Sequence, residues 1–410
     1  MRRLAFVALL AISGCSVLIP LDEFLEDGTG GAGGSTSSSS SAGGGGLGGG
    51  GGGAPPGCTP ERETDPYNCG EAGYECEEGI CAACMCEPHS MGDFRVTALL
   101  WDFGFGQRTN GTDVVVASLS LPMAAIDVLT VASDSWGITN EFILPMEVSE
   151  RLIAENGRYF FVADGIYSRD YDLPQMSSST IICQPSRPAG DTFDHISRGG
   201  SHIYRAIYGD GGSVAGQIDQ CLTDINIMPP VTFTDATTAY AWEVVAGSTS
   251  VHWTNRTVGG GVHRAGAGDF GVAAPETLYT QPDGVPTALA LVDGQVFLAD
   301  CLRREVARVP PGGTSAAVSF PTVGHVAFFE AVKEPDNSVT FYAVETGDAN
   351  LCANPVPAIY DGSLVRYRNG VPRVLAVGIR LPTAVHAHDG YVYWTQHPDQ
   401  MPPQVLRVPL

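Results

Sequence analysis

The chain has 410 residues, of which 51 are Gly and 28 Pro, about a fifth of the whole, and this excludes a fold dominated by long helices. Forty-five acidic side chains against 22 basic ones leave a net charge of −23, and Lys333 is the only lysine. Such a chain lacks the basic footprint that nucleic acid or anionic headgroups demand, so no nucleic-acid partner is expected. A hydrophobic content of 44% suffices for a core, and 11 cysteines need a redox explanation.

Met1-Arg2-Arg3 is a basic start, followed by nine apolar residues from Leu4 to Ile12. A bilayer core takes roughly 20 residues to span, so this run reads as a signal peptide rather than a membrane helix. It ends in Ile12-Ser13-Gly14-Cys15, which resembles the lipobox of bacterial lipoproteins. The resemblance implies a signal over residues 1–14, cleavage before Cys15, and thioether lipidation and acylation there. Several acyl chains on one residue anchor stably where one is marginal. Ser16 stands where inner-membrane-retained lipoproteins often carry Asp, so the resemblance points to the outer membrane.

Residues 28–53 are almost entirely Gly, Ser, Thr and Ala. Such a stretch cannot bury enough apolar area to offset the entropy of ordering, so residues 15–57 read as the lipidated Cys and a disordered tether with a reach of about 35 Å. No strand precedes the glycines and no Gly-Lys-Ser/Thr follows, which excludes a phosphate loop.

Without Cys15 the cysteines number ten, an even count. Cys58, Cys69, Cys76, Cys81, Cys84 and Cys86 crowd into a module over residues 58–92 that has too little apolar material to fold without staples. In an exported chain these read as disulfides. Fifteen pairings are open, and the sequence selects none. Cys81-Ala-Ala-Cys84-Met-Cys86 with His89 is the alternative, a soft-metal set, but no second Cys-x-x-Cys closes it. Asp65-Pro66-Tyr67-Asn68-Cys69-Gly70 and the cysteines after it resemble the Asn-Cys-Gly modules of secreted myxobacterial lipoproteins, in which a repeat domain follows.

Residues 93–410 show almost no helical periodicity; short β-branched and aromatic runs alternate with turn residues. Pro382 to His388, Asp389-Gly390, Tyr391 to Thr395 and Gln404 to Pro409 form one phrase. It recurs as Pro286 to Val292, Asp293-Gly294, Gln295 to Ala299 and Glu305 to Pro310. Looser copies lie at Val323 to Asn369-Gly370, at Ser250 to Arg264, and from Glu155 to Val162. Asp-Gly or Asn-Gly between apolar runs signals a hairpin. A period of about 45 residues is that of a propeller blade. We therefore expect an all-β propeller of seven blades, with six as the alternative and a β-sandwich as runner-up. The last copy shows only three strands, and Phe94 to Trp101 is the candidate for the missing outer strand. Proteolysis of the tether should leave a fragment starting near Cys58 or Phe94.

Cys301 and Cys352 each follow the second strand of a copy, and Cys183 and Cys221 are also about one copy apart, which predicts the bridges Cys183–Cys221 and Cys301–Cys352. No nucleophile elbow, His-Glu-x-x-His helix, Walker sequence or EF-hand loop is present, so no catalytic residue and no cofactor is assigned. His386 and His388 sit two apart on one strand face and are candidate channel metal ligands, with His202, His252, His263 and His325 in other copies. Asp164-Gly165, Asp170, Asp172 and Asp210-Gly211 suit calcium or ordinary turns. Tyr391, Tyr393 and Trp394 are expected to pack between blades. The reading is a lipid-anchored envelope protein whose non-enzymatic propeller binds a protein or glycan. The alternatives are a metal-dependent hydrolase or lyase at the channel, and an envelope component with a purely structural role.

Overall fold

A computed structural model describes residues 59–410, apart from 71, 73, 78, 94–98, 121–124, 132–135, 144–150, 156, 163–164, 174–178, 184–193, 210–215, 224–229, 269, 353–360 and 398–402. The signal, lipidation and tether segments, Cys58, Asp164 and Asp210 lie outside the described residues.

Among the described residues, seven four-stranded antiparallel sheets follow one another around a closed ring. Blade 1 comprises Leu99–Gln107, Asp113–Ser120, Ala125–Val131 and Trp136–Ile143. Blade 2 comprises Leu152–Ala154, Arg158–Val162, Ile166–Asp170 and Thr180–Cys183. Blades 3 and 4 start with Asp194–Gly199 and Ala241–Ala246, and blades 5 and 6 with Pro286–Val292 and His325–Lys333. Blade 7 is Val385–His388, Tyr391–Gln396 and Gln404–Pro409, completed by His89–Asp93. The first strand of each blade lies at one edge of its sheet and meets the first strand of the next, so these edges surround the central channel.

Both faces of a blade must be buried, which is why the strands read as continuous apolar runs and not as strict alternation. Val114 and Val116 face Leu152 and Phe161 of blade 2, while Val115 and Ala117 face Tyr393 and Val405 of blade 7. The Asp-Gly and Asn-Gly turns of the repeat take positive φ at both residues: 49° and 74° at Asp293-Gly294, 53° and 74° at Asn369-Gly370, 45° and 82° at Asp389-Gly390. That conformation matches the twist of the flanking strands and suits these residue types. The Thr of the Pro-Thr-Ala phrase has a shared task as well. Thr287 donates to the Val326 carbonyl at 2.8 Å and Thr383 to the Leu100 carbonyl at 2.6 Å, each reaching the next blade.

The outer strand of blade 7 differs from the expectation. His89–Asp93, not Phe94 to Trp101, pairs with Gln404–Pro409, and the chain from Leu99 onward begins blade 1. The Cys-rich module is therefore continuous with the propeller. It is stapled by Cys69–Cys81 and Cys76–Cys86, and Cys84 is disulfide-bonded too, so these sulfurs are not free for a metal. Its residues Cys69, Tyr74, Cys76, Cys81 and Cys86 pack against Phe328, Leu375, Val385 and Trp394 of blades 6 and 7. The Tyr74 hydroxyl donates to the Pro409 carbonyl at 2.8 Å, Arg373 lies 3.8 Å from the Tyr74 ring, and Arg407 donates to Glu77 at 2.9 Å.

Cys183 is joined to Cys221 and Cys301 to Cys352. Both bridges tie neighbouring blades, 2 to 3 and 5 to 6. Cys301 and Cys352 do follow second strands, whereas Cys183 ends the fourth strand of blade 2 and Cys221 lies within the third strand of blade 3. Closing loops of these sizes stabilises by roughly 3–4 kcal/mol each in the chain-entropy account.

Candidate functional site

Six of the seven blades place an ionisable side chain on their first strand or just before it: Asp102, Arg151, His195, Glu243, Glu330 and His386. Asp102, Glu243 and Glu330 interrupt apolar runs, as in Leu-Leu-Trp-Asp102-Phe and Phe-Phe-Glu330-Ala. In blade 5 the repeat position equivalent to His386 of blade 7 is Ala290.

His386 occupies the seam where the ring closes. Its Nε2 lies 3.0 Å from Asp102 Oδ1 of blade 1, and its Nδ1 lies 3.5 Å from Glu330 Oε2 of blade 6. Phe103 meets its ring edge-to-face at 4.9 Å. Asp102 is buried and also accepts the Leu152 backbone N–H of blade 2 at 3.1 Å, with Arg151 Nη1 3.6 Å from its Oδ1. The Arg151 guanidinium in turn lies 5.8 Å from the Phe328 ring of blade 6. Burial pulls the imidazole of His386 down, but the hydrogen bonds and charges of Asp102 and Glu330 outweigh it and hold the group up at about 9. His386 is an imidazolium at neutral pH.

A second pair sits beside it. His195 Nδ1 is 3.6 Å from Glu243 Oε2, and its ring packs 4.5 Å from Trp242. Burial and then the charges of Arg151 and Arg256 push His195 well below its ordinary value, so it is neutral. Burial lifts Glu243 to about 7 against the pull of Arg151, with Asp102 and Glu330 adding to the rise and Arg256 opposing it. The buried Arg256 donates to the Cys352 carbonyl at 3.0 Å and lies 4.7 Å from the Trp242 ring. The channel is thus crossed by a charge-balanced network in which acids and bases answer one another.

This arrangement has a measurable consequence. His386 holds its proton more tightly folded than unfolded, so its stabilisation is complete below pH 6.5 and is lost as pH rises towards 9. Glu243 and Glu345, both lifted to about 7 by burial, lose theirs between 4.5 and 7. His252 and His263, pushed down to about 4 by burial, act with the opposite sign between 4 and 6.5. Between pH 7 and 9 His386 titrates unopposed by these groups. The melting temperature is expected to fall over that interval, and to fall less in His386→Gln; equal slopes would remove His386 from the account.

The other expected ligands do not converge on the channel. His388 stacks on Phe105 at 4.1 Å and lies 3.4 Å from Asp389. His252 and His263 are on the second and third strands of blade 4, and His263 Nδ1 lies 3.1 Å from Thr277 Oγ1. His202 begins the second strand of blade 3, with its Nδ1 3.4 Å from Ser201 Oγ. His325 Nδ1 meets the Cys301 carbonyl at 2.7 Å. Among the described residues the groupings of three metal-type donors are Cys69, Cys76 and Cys86, and Cys301, His325 and Cys352, and every one of those sulfurs is in a disulfide. Asp172 is engaged by Arg108 at 2.6 Å and Thr109 at 2.9 Å, and Asp170 ends a strand of blade 2. Trp394 and Tyr393 are buried on opposite sides of blade 7, with Tyr391 partly buried beside Tyr393.

No protein-family profile matches the chain, and no curated protein matches it. Among solved structures, the AfRom2 CNH domain is similar to it with a TM-score of 0.48 at 8% identity, over 78% of this chain and 98% of that chain. Asp102, Arg151, Glu243 and Glu330 belong to no motif, and none of them is among the residues expected from the sequence. The signal for Asp102, Glu243 and Glu330 is a single acid inside a first-strand apolar run, whereas Arg151 precedes its strand.

Proposed function

We propose that this is a lipid-anchored envelope protein of the lipobox and Asn-Cys-Gly type, whose propeller serves as a rigid, non-enzymatic scaffold that presents a binding surface. The observation that carries this reading is the closed ring with its self-neutralised channel, where the ionisable groups spend their hydrogen bonds on neighbouring blades. The disulfides fit an oxidising compartment, and among the described residues no helix is long and apolar enough to cross a membrane. Cys15 supplies the anchor on this reading, the glycine-rich segment the reach, and the blade faces the contacts.

Two measurements test it. Cells fed labelled palmitate should label the wild type, and Cys15→Ser should abolish the label and move the protein to the soluble fraction. An unlabelled, soluble wild type would refute the anchor. For the scaffold, Lys333 is the single lysine, so an amine-reactive cross-linker on intact cells reports one patch of one face. Discrete cross-linked species through Lys333 support the scaffold; hydrolytic turnover abolished by Glu243→Gln would replace it with an enzyme.

A further inference from the structure

A cleft with an unmet polar group lies between blades 4 and 5, away from the channel network. It has a volume of about 590 Å³. One wall is aliphatic, formed by Leu291, Val296 and Val309 of blade 5. The other is a polar row running across blade 4, in which His252 pairs with Arg264 and Arg264 with Glu276 on successive strands. Arg264 Nη2 donates to Glu276 Oε2 at 2.5 Å, and its Nη1 donates across the seam to the Gly313 carbonyl at 2.9 Å. His252 is 4% exposed, and its Nδ1 is buried without a hydrogen-bond partner. A buried nitrogen left unmet is costly, and this one belongs to a side chain that lines the cleft.

We infer that this cleft binds an uncharged, extended peptide segment bearing an aliphatic side chain. The inference rests on the scaffold reading above and names its partner class. The charges along the polar row cancel, so a neutral occupant matches it better than an anion or a cation. Arg264 and Glu276 set a donor beside an acceptor, which is the pattern a backbone amide presents in reverse. The neutral imidazole of His252 adds a further polar contact without charge. The wall of Leu291, Val296 and Val309 takes an aliphatic group, and among the described residues no Phe, Tyr or Trp lines the cleft, so a sugar ring finds no stacking platform there.

The test uses the full chain and the blocked peptide acetyl-Ala-Ser-Val-Leu-Ser-Ala-amide, with a photoreactive diazirine analogue at the leucine. Irradiation should attach it to the tryptic fragment containing Leu291 and Val296. Unlabelled peptide should compete and maltohexaose should not. Arg264→Ala should lower labelling at least tenfold. Ala274→Trp, at an exposed position on the rim, should do the same with an unchanged melting temperature, which guards against a folding defect in the first variant. Competition by maltohexaose would make the occupant a glycan and overturn the inference. Labelling confined to other blades would overturn the site while leaving the scaffold reading intact, and labelling unaffected by both substitutions would overturn it as well.

Discussion

Replacing Asp102 with alanine is expected to destabilise the protein by roughly 3–5 kcal/mol, the usual cost of removing one partner from a buried ion pair. Asp102 links three blades from one carboxylate. It is set 3.0 Å from His386 of blade 7, accepts the Leu152 N–H of blade 2, and belongs to blade 1. Its loss strands the His386 imidazolium with Glu330 alone and leaves a buried backbone N–H unmet. Against a total stability of about 5–15 kcal/mol, that loss is large. Asp102→Asn keeps the shape and an acceptor for Leu152 but not the charge, so it should fall between wild type and Asp102→Ala. Urea denaturation at pH 7 reads all three midpoints. Equal midpoints for wild type and Asp102→Ala would mean that the seam is held by apolar packing alone.

The ring was legible because its repeat is written in local chemistry. Asp293-Gly294 and Asp389-Gly390 demand positive φ, and the apolar runs around them have blade spacing. The cross-blade bridge Cys301–Cys352 was legible for the same reason, since equivalent loops of adjacent copies stand side by side. The closing strand was hidden because His89-Ser90-Met91-Gly92-Asp93 has one apolar residue, Met91, and pairs through its backbone with a strand more than 300 positions away. Phe94 to Trp101 has the stronger β-propensity, yet Leu99 and Leu100 are taken by Asp113–Ser120. The channel was half legible. His386 was found, but Asp102 and Glu330, which decide its protonation, are separated from it by 284 and 56 positions and share no motif with it. Only closure of the ring makes them neighbours.

A chain beginning at Phe94 is expected not to fold, whereas one beginning at Gly57, which keeps every cysteine of the module, should melt with the full protein. Removal of residues 1–93 deletes the fourth strand of blade 7 and exposes the backbone edge of Gln404–Pro409, an invitation to aggregation. It uncovers Leu375, Val385 and Trp394, which the Cys-rich module covers with Tyr74 and its cysteines. It also leaves Arg407, only 5% exposed, without Glu77. Burying one large apolar side chain contributes about 1.5–3 kcal/mol and removing one partner of a buried ion pair costs about 3–5 kcal/mol, so several such losses together match the whole stability of a domain. Cutting only residues 1–56 removes none of these contacts and keeps Cys58 to Cys86 intact. Calorimetry on the two truncations distinguishes the module as clasp of the ring from the module as an appended domain. A cooperative transition at the full-length temperature in the shorter chain would show that blade 7 closes with three strands, and the packing of Tyr74 against blades 6 and 7 would then contribute little to stability.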